Sequence, residues 1–263
     1  MVTGLLLELQ QKLPVLLLMY ARISPIFLIL PILNNSVLSN TVIRNATILA
    51  LVIGLWHTAG AAQMSAVPGV DQLDYLFLAG KEIVVGASIG FVMSLPFWIF
   101  NAVGGFIDLS RGSSMGSMLD PTSGQESTEM QNFINYCVCV VFLELGGFKV
   151  LLQTLVSSYQ NVAIGDSFAV NLNFVLPFLA QVFEEGFVFA SPVLLSLLLV
   201  ECLLGLLARF TPQLNAFSVS MTIKSVIALF ILSLYFWQFL PDKTLEYMNV
   251  YSQWHLLQGG GKS

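Results

Sequence analysis

Long apolar runs separated by short polar interruptions make up the chain, and the runs lack the regular polar face of a water-exposed amphipathic helix. They cover residues 13–33, 42–62, 73–107, 131–158, 173–207 and 218–240, with connectors at 34–40, 63–74, 159–173 and 209–217 and a polar tail at 241–263. As one straight helix, the run 73–107 would be about 52 Å long, against about 30 Å for a hydrocarbon core. It must therefore break, tilt or leave the membrane. Pro96 is the expected break, because proline removes a backbone donor and clashes with the preceding turn. The run 173–207 repeats the pattern with Pro192 near its middle. These runs predict an all-α, membrane-protein-like fold of hydrophobic helical hairpins with proline-broken long helices.

Composition sharpens this picture. A chain of 263 residues that is 56% hydrophobic and 10% charged cannot hide its apolar surface in one water-facing globule. The net charge of -5 is thinly spread with no block of like charge, which excludes a nucleic-acid footprint. Cys137, Cys139 and Cys202 lie in apolar runs without disulfide or zinc spacing, and His57 and His255 lack companion ligands, so no metal or other cofactor is expected. There is no phosphate-binding loop or nucleophile elbow, and Gly-Lys-Ser at 261–263 cannot open a helix, so no enzymatic activity is expected. Glu8, Lys12 and Arg22 do not fit a cleavable signal peptide, and the first run is expected to remain in the mature chain.

Ionisable residues inside the apolar runs carry more information. Arg22, Lys81, Glu82, Glu144, Lys149, Glu184, Glu185, Glu201, Arg209 and Lys224 would each cost several kcal/mol if buried without partner or water. Lys81 and Glu82, about 100° apart around a helix, are expected to meet neighbours rather than each other. Glu201 and Arg209 share a face but stand about 12 Å apart along the axis, so each needs another partner. Two readings are open: a proton or ion relay, and salt bridges between helices or subunits. The second is the expectation, because no acidic pair has the context of a proton site. The basic residues also give no positive-inside signal, and no orientation is assigned.

The polar stretch 106–130 stands apart. Asp108 and Arg111 lie at its entrance, Gly112 and Gly116 punctuate it, and Met115, Met118, Leu119, Asp120 and Pro121 follow. A loop of this length without hydrophobic period is functional or disordered. Methionines and a leucine on a small-residue backbone suit the reversible filling of a narrow space.

Six segments, in order, resemble one family: Arg-Ile-Ser-Pro-Ile-Phe-Leu-Ile-Leu-Pro at 22–31, Ser-Leu-Pro-Phe-Trp at 94–98, Asp-Leu-Ser-Arg-Gly at 108–112, Leu-Asp-Pro at 119–121, Ala-Ser-Pro at 190–192 and Ala-Arg-Phe-Thr-Pro-Gln-Leu-Asn-Ala-Phe at 208–217. They are similar to the T component of the type III secretion export apparatus, the SctT/SpaR/YscT family of injectisomes, related to flagellar FliR. Members often show Asp-Asn-Gln-Arg-Gly where this chain has Asp-Leu-Ser-Arg-Gly. The resemblance implies a non-enzymatic subunit of a protein-conducting gate in the bacterial inner membrane, within the secretion-system basal body. It implies a hetero-oligomeric helical ring with R and S components, contact with the U component, and unfolded secreted proteins as substrates. Residues 1–158 would be the R-like portion and 159–240 the S-like portion, with the stretch at about 108–130 acting as a plug of the closed pore. The rival class is a secondary transporter for a small solute, which also uses proline-broken helices and embedded charges.

Overall fold

Eight α-helices and no strand are present among the residues that the computed structural model describes, namely 2–33, 40–56, 72–112, 129–164, 166, 172–210 and 216–250. The helices are α1 (Val2–Ile29), α2 (Thr41–Leu55), α3 (Gln72–Met93), α4 (Leu95–Arg111), α5 (Glu129–Glu144), α6 (Gly147–Asn161), α7 (Leu172–Phe210) and α8 (Ala216–Val250). Four contain segments long and apolar enough to cross a membrane: Lys12–Ile29, Leu73–Met93, Val175–Phe210 and Val219–Met248. The fold is all-α and membrane-protein-like.

Two packing units interleave along the chain. The first comprises Met1–Leu95, Gly146–Val175 and Tyr247–Ser263; the second comprises Pro96–Leu145 and Leu176–Glu246. The sequence division at 158/159, which concerned likeness to two partner subunits, falls inside α6.

In the first unit, α1 packs on α3 and α2. Val15, Leu18, Met19, Arg22, Ile23, Ile26, Phe27 and Leu30 are buried, a three-and-four-residue spacing that places one continuous stripe on one side of α1. Arg22 sits in the middle of that stripe. Opposite it, α3 presents Gly86 and Gly90, four residues apart. A Cβ on Gly86 would run into the backbone carbonyl of Arg22, and one on Gly90 would come within 3.1 Å of the Ile26 Cα. Small residues at this spacing let two helix backbones approach closely.

In the second unit, α4 is the central helix. Phe97 meets Phe142 of α5 edge-on at 5.1 Å, and Phe100 stacks on Phe189 of α7 at 6.0 Å while meeting Phe236 of α8 edge-on at 6.1 Å. The buried residues Phe100, Val103, Gly104, Ile107 and Asp108 continue a single face of α4 to its C-terminal turn.

Three expectations are corrected. Pro192 does not break its helix: α7 is one helix of 39 residues, about 58 Å long, with Pro177 and Pro192 inside it. Proline at 192 cannot donate to the carbonyl of Val188, but the Ser191 hydroxyl donates to that oxygen at 2.7 Å. The orphaned acceptor is thereby satisfied, and the helix continues. Nor does helix end at Leu240: α8 runs through Pro241 to Val250. Leu240, Thr244, Tyr247 and Met248 are buried at helical spacing, so the core-facing stripe outlasts the polar composition. Lys81 and Glu82 do meet, with Lys81 Nζ 3.4 Å from Glu82 Oε1. The long lysine stem spans the angle between adjacent helical positions.

Gly86→Ala is expected to destabilise the detergent-solubilised protein by about 1–3 kcal/mol, because the added methyl meets rigid backbone. Gly80→Ala, where a Cβ meets nothing within 4 Å, should leave stability unchanged or raise it by up to about 1 kcal/mol. Thermal unfolding of the two variants side by side distinguishes close packing from helix propensity.

Candidate functional site

The polar stretch that stood out in the sequence is framed by the end of α4 and the start of α5, and one carboxylate ties these ends together. Asp108, 4% exposed, accepts from the Gln131 amide at 3.0 Å and the Met130 amide at 3.4 Å through its two oxygens. Those amides belong to the first turn of α5, where no intrahelical acceptor exists, and negative charge there also complements the helix dipole. The carboxylate caps a helix from another element, across 22 and 23 residues of chain.

Arg111 completes the arrangement. Its Nε donates to Asp108 Oδ1 at 2.8 Å, its Nη2 lies 2.7 Å from the same oxygen and 3.9 Å from Glu129 Oε2, and its Nη1 donates to the Ser225 hydroxyl of α8 at 3.5 Å. Gly112 then ends α4 with φ of 82°, and its amide donates to the Leu109 carbonyl at 3.1 Å. That left-handed conformation is open to glycine at little cost. A Cβ on Gly104 would overlap the Gln131 backbone, so α4 and α5 are in close contact just below the carboxylate. Met115, Gly116, Met118, Leu119, Asp120 and Pro121 lie outside the described residues.

A second strap joins the same turn of α4 to α7 and α8. Lys224, 6% exposed, places Nζ 3.1 Å from Glu201 Oε2 of α7 and 3.4 Å from the Ser110 carbonyl of α4. An open cleft of about 570 Å³ runs beside it, lined by Phe187, Leu194, Leu197 and Leu198 of α7, with Ser110 and Glu201 contributing its polar rim.

The other concentration of charge belongs to the first unit. Arg22 and Glu82 are both fully buried and hydrogen-bonded, Arg22 Nε to Glu82 Oε2. The remaining guanidinium nitrogens donate to the Ser158 hydroxyl at 3.3 Å and the Val162 carbonyl at 3.0 Å, and the group lies 4.2 Å from the centre of the Tyr159 ring. Lys81 donates to the carbonyls of Ala163 at 3.3 Å and Asp166 at 2.8 Å. Two cations thus gather at the C-terminal end of α6, where the helix dipole favours positive charge.

Of the residues singled out in the sequence, Asp108, Arg111 and Gly112 come together; Arg22, Lys81 and Glu82 come together; Glu201 and Lys224 come together. Arg209 is exposed near the end of α7, well apart from Glu201 along the helix. Pro96 is the second residue of α4, two residues after the interruption at Ser94. Sequence reasoning missed Ser158, Tyr159, Glu129 and Ser225, whose roles depend on contacts across the fold. It also missed the Gly86-Gly90 pair, for which the spacing was a legible signal. Among the described residues no group of three or more His, Cys, Asp or Glu is placed to hold a metal ion.

The model of bacterial export proteins, family 1, matches residues 13–248. The chain belongs to this family. Its relatives include the surface presentation of antigens protein SpaR of Salmonella typhimurium strain LT2, 41% identical over 227 residues that cover 86% of this chain and 84% of that protein. The Yop proteins translocation protein T of Yersinia pestis is 32% identical over 222 residues, covering 83% and 84%. The flagellar biosynthetic protein FliR of Bacillus subtilis is 28% identical over 237 residues, covering 83% and 85%. The family is one of export-apparatus components rather than enzymes, and membership leaves the small-solute transporter without support.

Replacing Arg22 by Met should destabilise the protein by roughly 3–5 kcal/mol, because it strands the buried Glu82 carboxylate. The double variant Arg22→Met/Glu82→Leu should recover much of that loss. Thermal unfolding in detergent of the single and double variants measures both.

Proposed function

We propose that the chain is a subunit of the protein-conducting gate of a type III export apparatus and that its central segment, at about 108–130, is the plug of the closed pore. The observation that carries this reading is the clamp at the base of the segment. Asp108 and Arg111 hold the end of α4 to the first turn of α5, so the described residues on either side of this glycine-, serine- and methionine-containing sequence are tied to one another. Such a base fixes where the segment starts and ends, and a sequence rich in small residues suits reversible displacement. Met115, Met118 and Leu119 are the seal-forming side chains of this reading, with Gly116, Asp120 and Pro121 shaping the path between them.

The surfaces of α7 and α8 support an assembly. In α7, Leu176, Phe183, Phe187, Val188, Leu195, Leu198 and Leu203 are exposed, and in α8 Val226, Phe230, Leu234 and Trp237 are exposed. Exposed charged residues interrupt the same helix at Glu184, Glu201 and Arg209. Lipid tolerates the apolar residues but not the charges, whereas neighbouring subunits can satisfy both. The R and S components are the partners of this reading, with the U component beside them, in the basal body at the bacterial inner membrane. Residues 1–158 correspond to the R-like portion and 159–240 to the S-like portion, and the substrates are unfolded secreted proteins. The 41% and 32% identities to secretion proteins, against 28% to the flagellar one, support an injectisome rather than a flagellum.

Deleting residues 113–122, which spares the clamp, should raise passive ion conductance across the inner membrane of cells carrying the assembled complex, while co-purification with the R and S components persists. Wild-type conductance with an intact complex would refute the plug. Purification of the chain as a stable solitary particle, with no tendency to associate with R and S components, would refute the gate subunit itself.

A further inference from the structure

Helix α7 outlasts the helix that supports it. Against α4 it packs closely: a Cβ on Gly186 would come within 2.9 Å of the Ala102 Cβ, and Phe106 meets Phe187 edge-on at 5.8 Å. But α4 ends at Arg111, whereas α7 continues to Phe210, and no residue from Glu201 to Phe210 is buried. The open cleft of about 570 Å³ lies at this step, with Ser110 of the last turn of α4 and Glu201 of α7 on its rim. Its apolar wall must be covered by lipid or by protein.

Spacing and charge decide between the two. Glu184, Phe187, Ser191, Leu194, Leu198 and Glu201 succeed one another at steps of three and four. Five steps cover 17 residues, close to the 3.5-residue period along which a second helix follows the first in a left-handed crossing. Lipid chains need no such register. The Glu201 side chain is 66% exposed; Lys224 Nζ meets its Oε2 at 3.1 Å, and among the described residues nothing donates to its Oε1. Glu184 is exposed and has no partner among the described residues. The two carboxylates stand about 25 Å apart along the axis. A lipid headgroup that meets one leaves the other bare, within a segment apolar enough to cross a membrane. Among the described residues no basic side chain lines the cleft.

We propose that this stripe of α7 is the docking face for one helix of a neighbouring subunit, a helix that is apolar along the contact and carries a lysine or arginine at each end of it. Its apolar side chains enter the cleft beside Leu194 and Leu198, and the small Ser191 lets the two backbones approach at the middle. Its two cations reach Glu184 and the free oxygen of Glu201, completing a carboxylate that Lys224 satisfies on one side only. That the neighbour belongs to the export apparatus rests on the gate reading; the apolar contact flanked by two cations is specified by this chain.

The test uses the assembled complex in its membrane. Photoreactive p-benzoylphenylalanine in place of Leu198 should cross-link to a neighbouring subunit, and mass spectrometry should find the linked peptide to be apolar with a basic residue at each end. Glu184→Lys, a change at an exposed position, should lower co-purification of that subunit several-fold, and replacing the facing basic residue of the subunit by glutamate should restore it. Glu201→Gln keeps an acceptor for Lys224 and should also lower recovery. Cross-links to lipid alone, or within the chain alone, would overturn the proposal. So would unchanged recovery with Glu184→Lys, or a paired charge reversal that restores nothing. In each of these cases the gate reading stands as long as the complex assembles. Absence of any association with R and S components would instead overturn the gate reading, and this proposal with it.

Discussion

A guanidinium with no contact to solvent must find all its partners inside the protein, and much of the first unit is arranged to meet that demand around Arg22. Glu82 supplies the countercharge from α3, α6 supplies a hydroxyl, a carbonyl and an aromatic face, and α1 supplies the apolar stripe on both sides. The backbone of α1 has to lie close to α3 for the pair to form, which accounts for the glycine beneath Arg22. Because α6 enters the sequence about a hundred residues after α1, the contact also returns the chain to its first unit after the excursion into the second.

The second unit solves a related problem with opposite sign. In the first, cations gather at the C-terminal end of α6; in the second, the Asp108 carboxylate sits at the N-terminal start of α5. Each charge faces the helix end of complementary polarity, so the peptide dipoles of one element help stabilise an ionised side chain on another. This arrangement lets an apolar protein hold ionised groups in its interior, and it does so at the junctions between helices. A proton relay needs groups that exchange partners, whereas these are held by several fixed hydrogen bonds each.

The sequence made the helical runs legible because their apolar composition is continuous, and it made the charges conspicuous for the same reason. It did not show which charges pair, since Arg22 and Glu82 are 60 residues apart and their meeting depends on how α1 crosses α3. Asp108 and Arg111 were conspicuous as charges at the entrance of the polar stretch, but the capping of α5 by Asp108 is a long-range event with no local signature. The proline rule misled at 192 because a neighbouring hydroxyl took over the acceptor that the proline abandons, a compensation written in the single residue Ser191. Polar composition misled in the tail, where buried Thr244 and Tyr247 carry the helix onward to Val250.

The apolar part of α7 extends from Val175 to Phe210. At about 54 Å, it would have to lean some 56° from the bilayer normal to fit within a hydrocarbon layer about 30 Å thick, whereas spanning helices lean by roughly 0–40°. A straight α7 therefore has greasy surface left over that no lipid tail can reach. The length of this one helix fixes how much apolar surface lies beyond the reach of lipid.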